Sequence, residues 1–178
     1  MAMGSQGQAM STNAIALGNQ AKVDANSTSS IAIGYYATTL ADSAIAIGVG
    51  AEAAVKNTIA IGSNAGLGMT PGSAGSSGAV FIGSEAGSQT TGRWNTFIGT
   101  QNAGNGSTGD SNIGIGQAVL YKSQGSGNHA LGAWAGAASQ GDENIYVGES
   151  SGRNSSGNQN AYLGLNTGYN SKGDHHAY

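Results

Sequence analysis

One pattern restricts the fold more than any other: an aliphatic residue followed by glycine recurs at Gly18, Gly34, Gly48, Gly62, Gly83, Gly99, Gly116, Gly132, Gly148 and Gly164. The intervals between these glycines are 16, 14, 14, 21, 16, 17, 16, 16 and 16 residues. Gly4 lies 14 before the first, and Ala177-Tyr178 falls 16 after Ala161-Tyr162, so the period reaches both ends of the sequence. A repeat this short holds neither a helix pair nor a propeller blade. It suits one coil of two short strands and two turns, with equivalent strands stacked in parallel about 4.8 Å apart. The ten coils make a rod on the order of 45 to 50 Å long.

Leu17, Ile33, Ile47, Ile61, Ile82, Ile98, Ile115, Leu131, Val147 and Leu163 precede the glycines, and two places earlier stand Ile15, Ile31, Ile45, Ile59, Val80, Thr96, Ile113, His129, Ile145 and Ala161. Residues two apart on a strand share a face. The residue between them, on the other face, is Ala16, Ala32, Ala46 and Ala60, then Phe81, Phe97, Gly114, Ala130, Tyr146 and Tyr162. The pattern predicts a strand of about five residues per coil. After the glycine turn come a second extended piece, marked by Ala21, Ala37, Ala51, Ala65, Ala86 or Ala135, and a polar connector. A helix is excluded because glycine interrupts every apolar run. Two aliphatic side chains are little burial for a whole ordered repeat, so an obligate oligomer is expected, with coils of several chains sharing an aliphatic core. The small residues of the second face are expected to let a neighbouring chain approach. The long interval divides the chain into repeats over 1–66, an inserted loop over 67–79 with the only proline, Pro71, and longer repeats over 80–178 of the same continuous roll.

Composition agrees with a thin core. The 178 residues include 32 glycines, two Phe and two Trp, and 8% are charged. Six basic residues against nine acidic ones, spread singly, form no footprint for nucleic acid. With no cysteine there is no disulfide framework and no thiolate metal site, as suits an exported chain. No run approaches the roughly 18 apolar residues of a membrane span. Secretion and anchoring signals are expected to lie outside this segment.

Asn13-Ala-Ile-Ala-Leu-Gly18, Ser29-Ser-Ile-Ala-Ile-Gly34, Ser43-Ala-Ile-Ala-Ile-Gly48 and Asn57-Thr-Ile-Ala-Ile-Gly62, each with its downstream alanine, resemble the head repeat of YadA-like trimeric autotransporter adhesins. The resemblance covers residues 11 to 66 best. It implies an all-β, left-handed parallel β-roll, a homotrimer with three chains side by side, and display on a bacterial surface outside the outer membrane. From Val80 onward the repeat adds Asn95, Asn112, Asn128, Asn144 and Asn160 four places before the glycine, with Gly87, Gly136, Gly152 and Gly168 four places after it. That half is also similar to repeats of some phage tail fibres.

No pattern calls for catalysis, a cofactor or a resident metal. Gly148-Glu-Ser150-Ser-Gly152 matches a nucleophile elbow in letters only, since Gly83-Ser-Glu-Ala-Gly87 and Gly164-Leu-Asn-Thr-Gly168 occupy the same phase without the serine. Gly104-Asn-Gly106-Ser-Thr-Gly109 lacks the strand–helix context of a dinucleotide loop and reads as a connector. A solenoid glycosidase needs paired carboxylates, whereas the acids here stand singly in connectors. Asp110, Asp142 and Asp174 share a phase 32 residues apart and read as solvated turn residues rather than calcium ligands. His129 reads as a partly buried histidine bonded to backbone; the alternative is a ring of His129 side chains on a threefold axis that holds an ion. His175-His176 reads as a solvated end. The candidates for a ligand-binding surface are the aromatics Trp94, Trp134 and Tyr36, with Tyr35 and Tyr121 beside them. The function that the resemblance implies is a non-enzymatic adhesin head that attaches to host extracellular matrix proteins or cell-surface receptors; no nucleic-acid partner and no membrane insertion by this segment are expected. The alternative is a phage or tailocin fibre segment that recognises bacterial surface glycans.

Overall fold

A computed structural model describes residues 1–69 and 78–177. Pro71 and most of the predicted insertion lie outside the described residues. Numbered along the chain, one strand of each coil belongs to a long sheet: β1 (Ala2–Met3), β3 (Ile15–Leu17), β5 (Ile31–Ile33), β7 (Ile45–Ile47), β9 (Ile59–Ile61), β10 (Val80–Ile82), β11 (Thr96–Ile98), β12 (Ile113–Ile115), β13 (His129–Leu131), β14 (Ile145–Val147) and β15 (Ala161–Leu163). All eleven pair in parallel in that order, which makes the chain a β-solenoid. Register follows the repeat: Ile15 lies beside Ile31, Ala16 beside Ala32 and Leu17 beside Ile33. Across the long interval, Val80 pairs with Ile59 and Ile82 with Ile61. From β3 onward each of these strands is three residues long rather than about five, because the glycine at one end and a left-handed residue at the other turn the chain.

The second strand exists in only part of the rod. β2 (Gln8–Ala9), β4 (Lys22–Val23), β6 (Thr38–Thr39) and β8 (Glu52–Ala53) form a parallel four-stranded sheet. Beyond it, single bridges link Thr91, Thr108, Gln124, Gln140, Ser156 and Lys172 in turn.

The two strand faces are the reverse of the expectation. Ala16, Ala32, Ala46, Ala60, Phe81, Phe97, Tyr146 and Tyr162 are fully enclosed within the coils of one chain, whereas Ile115, Leu131, Ile145 and Leu163 are 43%, 51%, 45% and 59% exposed. The reason is the width of the coil. With three-residue strands the interior admits one side chain per strand, and alanine fills it where Ala21, Ala37 or Ala51 faces it from the other wall. The small residues are therefore the chain's own core, and the aliphatic pair is what it leaves uncovered.

In the later coils the core residue grows and the opposite wall shrinks. Phe81 and Phe97 stack with centroids 5.8 Å apart, and Tyr146 and Tyr162 do so at 6.0 Å. A Cβ at Gly87, Gly104, Gly152 or Gly168 would overlap these rings. One coil inverts the arrangement: Gly114 holds the strand position, and Val119 and Leu120 fill the space.

The glycine that ends each strand is required twice over. Gly18 has φ +137°, and a Cβ there would lie 2.5 Å from the carbonyl oxygen of Gly34 in the next coil. Equivalent backbones are simply too close for a side chain.

Candidate surface for attachment

Polar ladders hold the coils in register and so set the spacing of anything displayed on them. Asn95, Asn112, Asn128, Asn144 and Asn160 are buried. The side-chain oxygen of each accepts the backbone N–H one coil on: Asn112 to Asn95 at 2.9 Å, Asn128 to Asn112 at 3.0 Å, Asn144 to Asn128 at 3.0 Å and Asn160 to Asn144 at 2.9 Å. The amides of Asn95, Asn112, Asn128 and Asn160 donate to the carbonyls of Gly109, Gly125, Gly141 and Gly173. His176 continues this ladder by donating its N–H to Asn160, so it is tied to the rod rather than fully solvated.

The connector acids also have work within the rod. Asp110 accepts the N–H of Arg93 at 2.8 Å, Asp142 that of Ser126 at 2.7 Å and Asp174 that of Asn158 at 2.6 Å. Ser126 and Asn158 fill the same role between them, toward Asp110 and Asp142. These acids cap turns; among the described residues no group of three His, Cys, Asp or Glu is placed to hold a metal. In the first half Asp42 accepts from the Thr28 hydroxyl at 2.6 Å and its N–H at 2.9 Å, and meets Lys56 at 3.0 Å. The Thr28 hydroxyl bond and then Lys56 hold its carboxyl down at about 2.

Coil corners are built from left-handed residues that are not glycine. Gln20, Tyr36, Asn64, Glu85, Gln101, Ala118, Trp134, Ser150 and Asn166, each two or so places after a strand glycine, have φ between 48° and 61°. Tyr36 and Trp134 share this corner, near opposite ends of the rod. Trp94 belongs to a second left-handed corner, five places before Gly99, with φ 56°. The sequence candidates are thus displayed separately. Ser150 is one of these corner residues, its N–H held by Ala133, and its place in the G-x-S-x-G string needs no other explanation.

Tyr36 meets Tyr35 edge to face at 4.4 Å, over a groove of about 410 Å³ lined also by Val49, Glu52, Asn64 and Leu67. Trp94 is 52% exposed, with the Arg93 guanidinium 5.9 Å from its centroid. Trp134 meets Tyr121 edge to face at 6.3 Å and carries Arg153 4.7 Å above its centroid. Sequence reasoning missed Arg153, although it shares the phase of Tyr121 two coils away.

His129 is exposed, not partly buried, because it projects from the outward face between Ile113 and Ile145. The outward ladder runs from Ile15 to Leu163 with only Thr96, His129 and Ala161 departing from large aliphatics. That is a continuous apolar stripe along the rod, and it carries no carboxylate and no lysine or arginine.

The model of the YadA head domain repeat, which spans two copies, matches three overlapping stretches, 9–37, 25–51 and 40–65. Residues 9–65 are YadA-like head repeats. No curated protein matches the chain. The YadA-like stretch coincides with the coils that have alanine cores and a second strand. Among the described residues no helix is long and apolar enough to cross a membrane.

Proposed function

We propose that this rod is the non-enzymatic head of a homotrimeric adhesin, displayed outside the outer membrane of a bacterium and attaching it to host matrix proteins or cell-surface receptors. The observation that carries the reading is the apolar stripe, free of carboxylate, lysine and arginine, along a chain whose residues 9–65 match the YadA head repeat. A monomer leaves such a stripe in water, where contiguous apolar patches of this kind mark an interface. Three chains laid side by side with their stripes inward cover it and leave the corners outside. Attachment then comes from many weakly adhesive coils acting together, so that effective concentration multiplies their contacts.

The head-repeat match ends at residue 65, and the asparagine-laddered coils beyond it favour a second reading, a phage or tailocin fibre segment that binds bacterial glycans. Light scattering is expected to give the mass of three chains. Surface plasmon resonance over immobilised matrix proteins and glycans, with full-length and coil-deleted chains, then separates the readings. Matrix binding that falls steeply with each deleted coil supports the adhesin, binding to bacterial glycans alone supports the fibre, and a stable monomer sinks both.

A further inference from the structure

Of the six basic residues, Lys22 and Lys56 are paired with Asp24 at 3.1 Å and Asp42 at 3.0 Å. Lys122 and Arg153 are placed differently. Lys122 Nζ lies 5.1 Å from the Tyr121 centroid, Arg153 Cζ lies 4.7 Å from that of Trp134, and the two rings touch edge to face. Among the described residues no ion pair involves either cation. The four side chains form one unbroken run, cation to ring to ring to cation, on a chain whose net charge is -3. Trp134 and Lys122 stand at left-handed corners, with backbone N–H groups donated to the carbonyls of Gln117 and Asn105, each at 2.9 Å, so the main chain that carries these two side chains is fixed by the stacking of the coils. Beside Trp134 opens a groove of about 430 Å³ lined by Ser84, Glu85, Thr100, Gln101 and Asn102.

The geometry points to a binding site for an acidic saccharide, which rests on the reading of the rod as an attachment module and gives that module a ligand class. Ring surface alone suits any apolar group, and two cations alone suit any anion. Joined to a groove of hydroxyls and amides, they suit a ligand with a C–H face, an acidic group and vicinal hydroxyls together. Trp134 and Tyr121 offer the face, Lys122 and Arg153 take a carboxylate or sulfate, and Thr100, Gln101 and Asn102 bond hydroxyls. Glu85 stands three coils from Trp134, about 14 Å along the rod, and its charge repels a second acid there. The site therefore selects an acidic sugar next to a neutral one rather than a uniform polyanion, whether the polymer is a host glycosaminoglycan or a bacterial capsule.

The test uses the intact chain carrying Trp94→Phe, so that Trp134 is the fluorescent reporter. A hyaluronan tetrasaccharide, in which uronate and N-acetylhexosamine alternate, is expected to change the emission saturably. Chitotetraose, which lacks the acid, and tetraglutamate, which lacks the sugar, are expected to bind at least about tenfold more weakly, the scale of one lost interface anchor. Lys122→Gln with Arg153→Gln removes the preference for the acidic probe while circular dichroism and mass stay unchanged. A bacterial capsular oligosaccharide with the same alternation, run beside the hyaluronan probe, shows which source binds more tightly. No saturable response in a folded chain, equal affinity for tetraglutamate, or a double variant that behaves like its parent overturns the inference. Adhesion to matrix proteins is measured beside it on chains that keep Trp94: adhesion retained without saccharide binding overturns this site alone, and absence of adhesion with saccharide binding intact overturns the matrix reading alone.

Discussion

At Gly87 a single methyl group is enough to displace an aromatic ring. The residue has φ +64°, and an added Cβ would overlap the Phe81 ring. Gly87→Ala is expected to cost about 2–4 kcal/mol, from left-handed strain and overpacking together. Combined with Phe81→Ala it should cost less than the two changes summed, because removing the ring removes the overlap; thermal denaturation of the four chains measures the difference. Asp42 is a second local device. Its carboxyl titrates at about 2 in the folded chain against an ordinary 3.8, so its stabilisation is complete above the ordinary value and drains away as pH falls toward 2. The melting temperature is expected to drop across that window, and Asp42→Asn should flatten the dependence. An unchanged acid profile in Asp42→Asn would show that other carboxylates govern it.

Elements here are ladders rather than strands. Three-residue strands contribute few hydrogen bonds each, so register in the second half depends on the buried asparagines. Asn128 accepts the Asn144 N–H at 3.0 Å and donates to Gly141 at 2.9 Å. Asn128→Ala orphans both groups in a buried setting and is expected to cost about 2–4 kcal/mol. Asn128→Asp keeps the acceptor but buries a charge and loses the donor, so it should be worse. Hydrogen exchange at the Asn144 amide checks the first variant directly. The asparagine column could be seen in the sequence as a phase, but its purpose could not, because the partners are one coil and 13 to 17 residues away.

For the whole molecule, the decisive comparison is between two neighbouring residues of β9. Ala60 lies inside the coil and Ile61 on the stripe. Ala60→Asp buries a charge within each chain and is expected to prevent folding, at a penalty of several kcal/mol. Ile61→Asp leaves the coil intact and places the charge where chains meet, so the expected outcome is a folded chain of reduced mass and reduced melting temperature. Circular dichroism and light scattering on both variants settle the assignment of faces; a trimeric Ile61→Asp would mean that the stripe is covered by something other than a second copy.

The sequence by itself determined the repeat, the parallel stacking, the position of every long-sheet strand and the glycine that ends it, because a period of 14 to 17 residues with one fixed glycine allows little else. The head-repeat runs around Ile15, Ile31, Ile45 and Ile59 were equally legible. Which face of β3 or β14 is the core could not be read, since alternation marks two faces without saying which is inside, and hydrophobicity pointed to the wrong one. Only the tertiary structure decided it. A coil with three-residue strands has an interior too narrow for an isoleucine pair, so alanine, or an aromatic laid over glycine, goes in and the isoleucines go out. The same closure brought Lys122, Tyr121, Trp134 and Arg153 together from different coils, a proximity that depends on stacking and corner angle rather than on any local pattern.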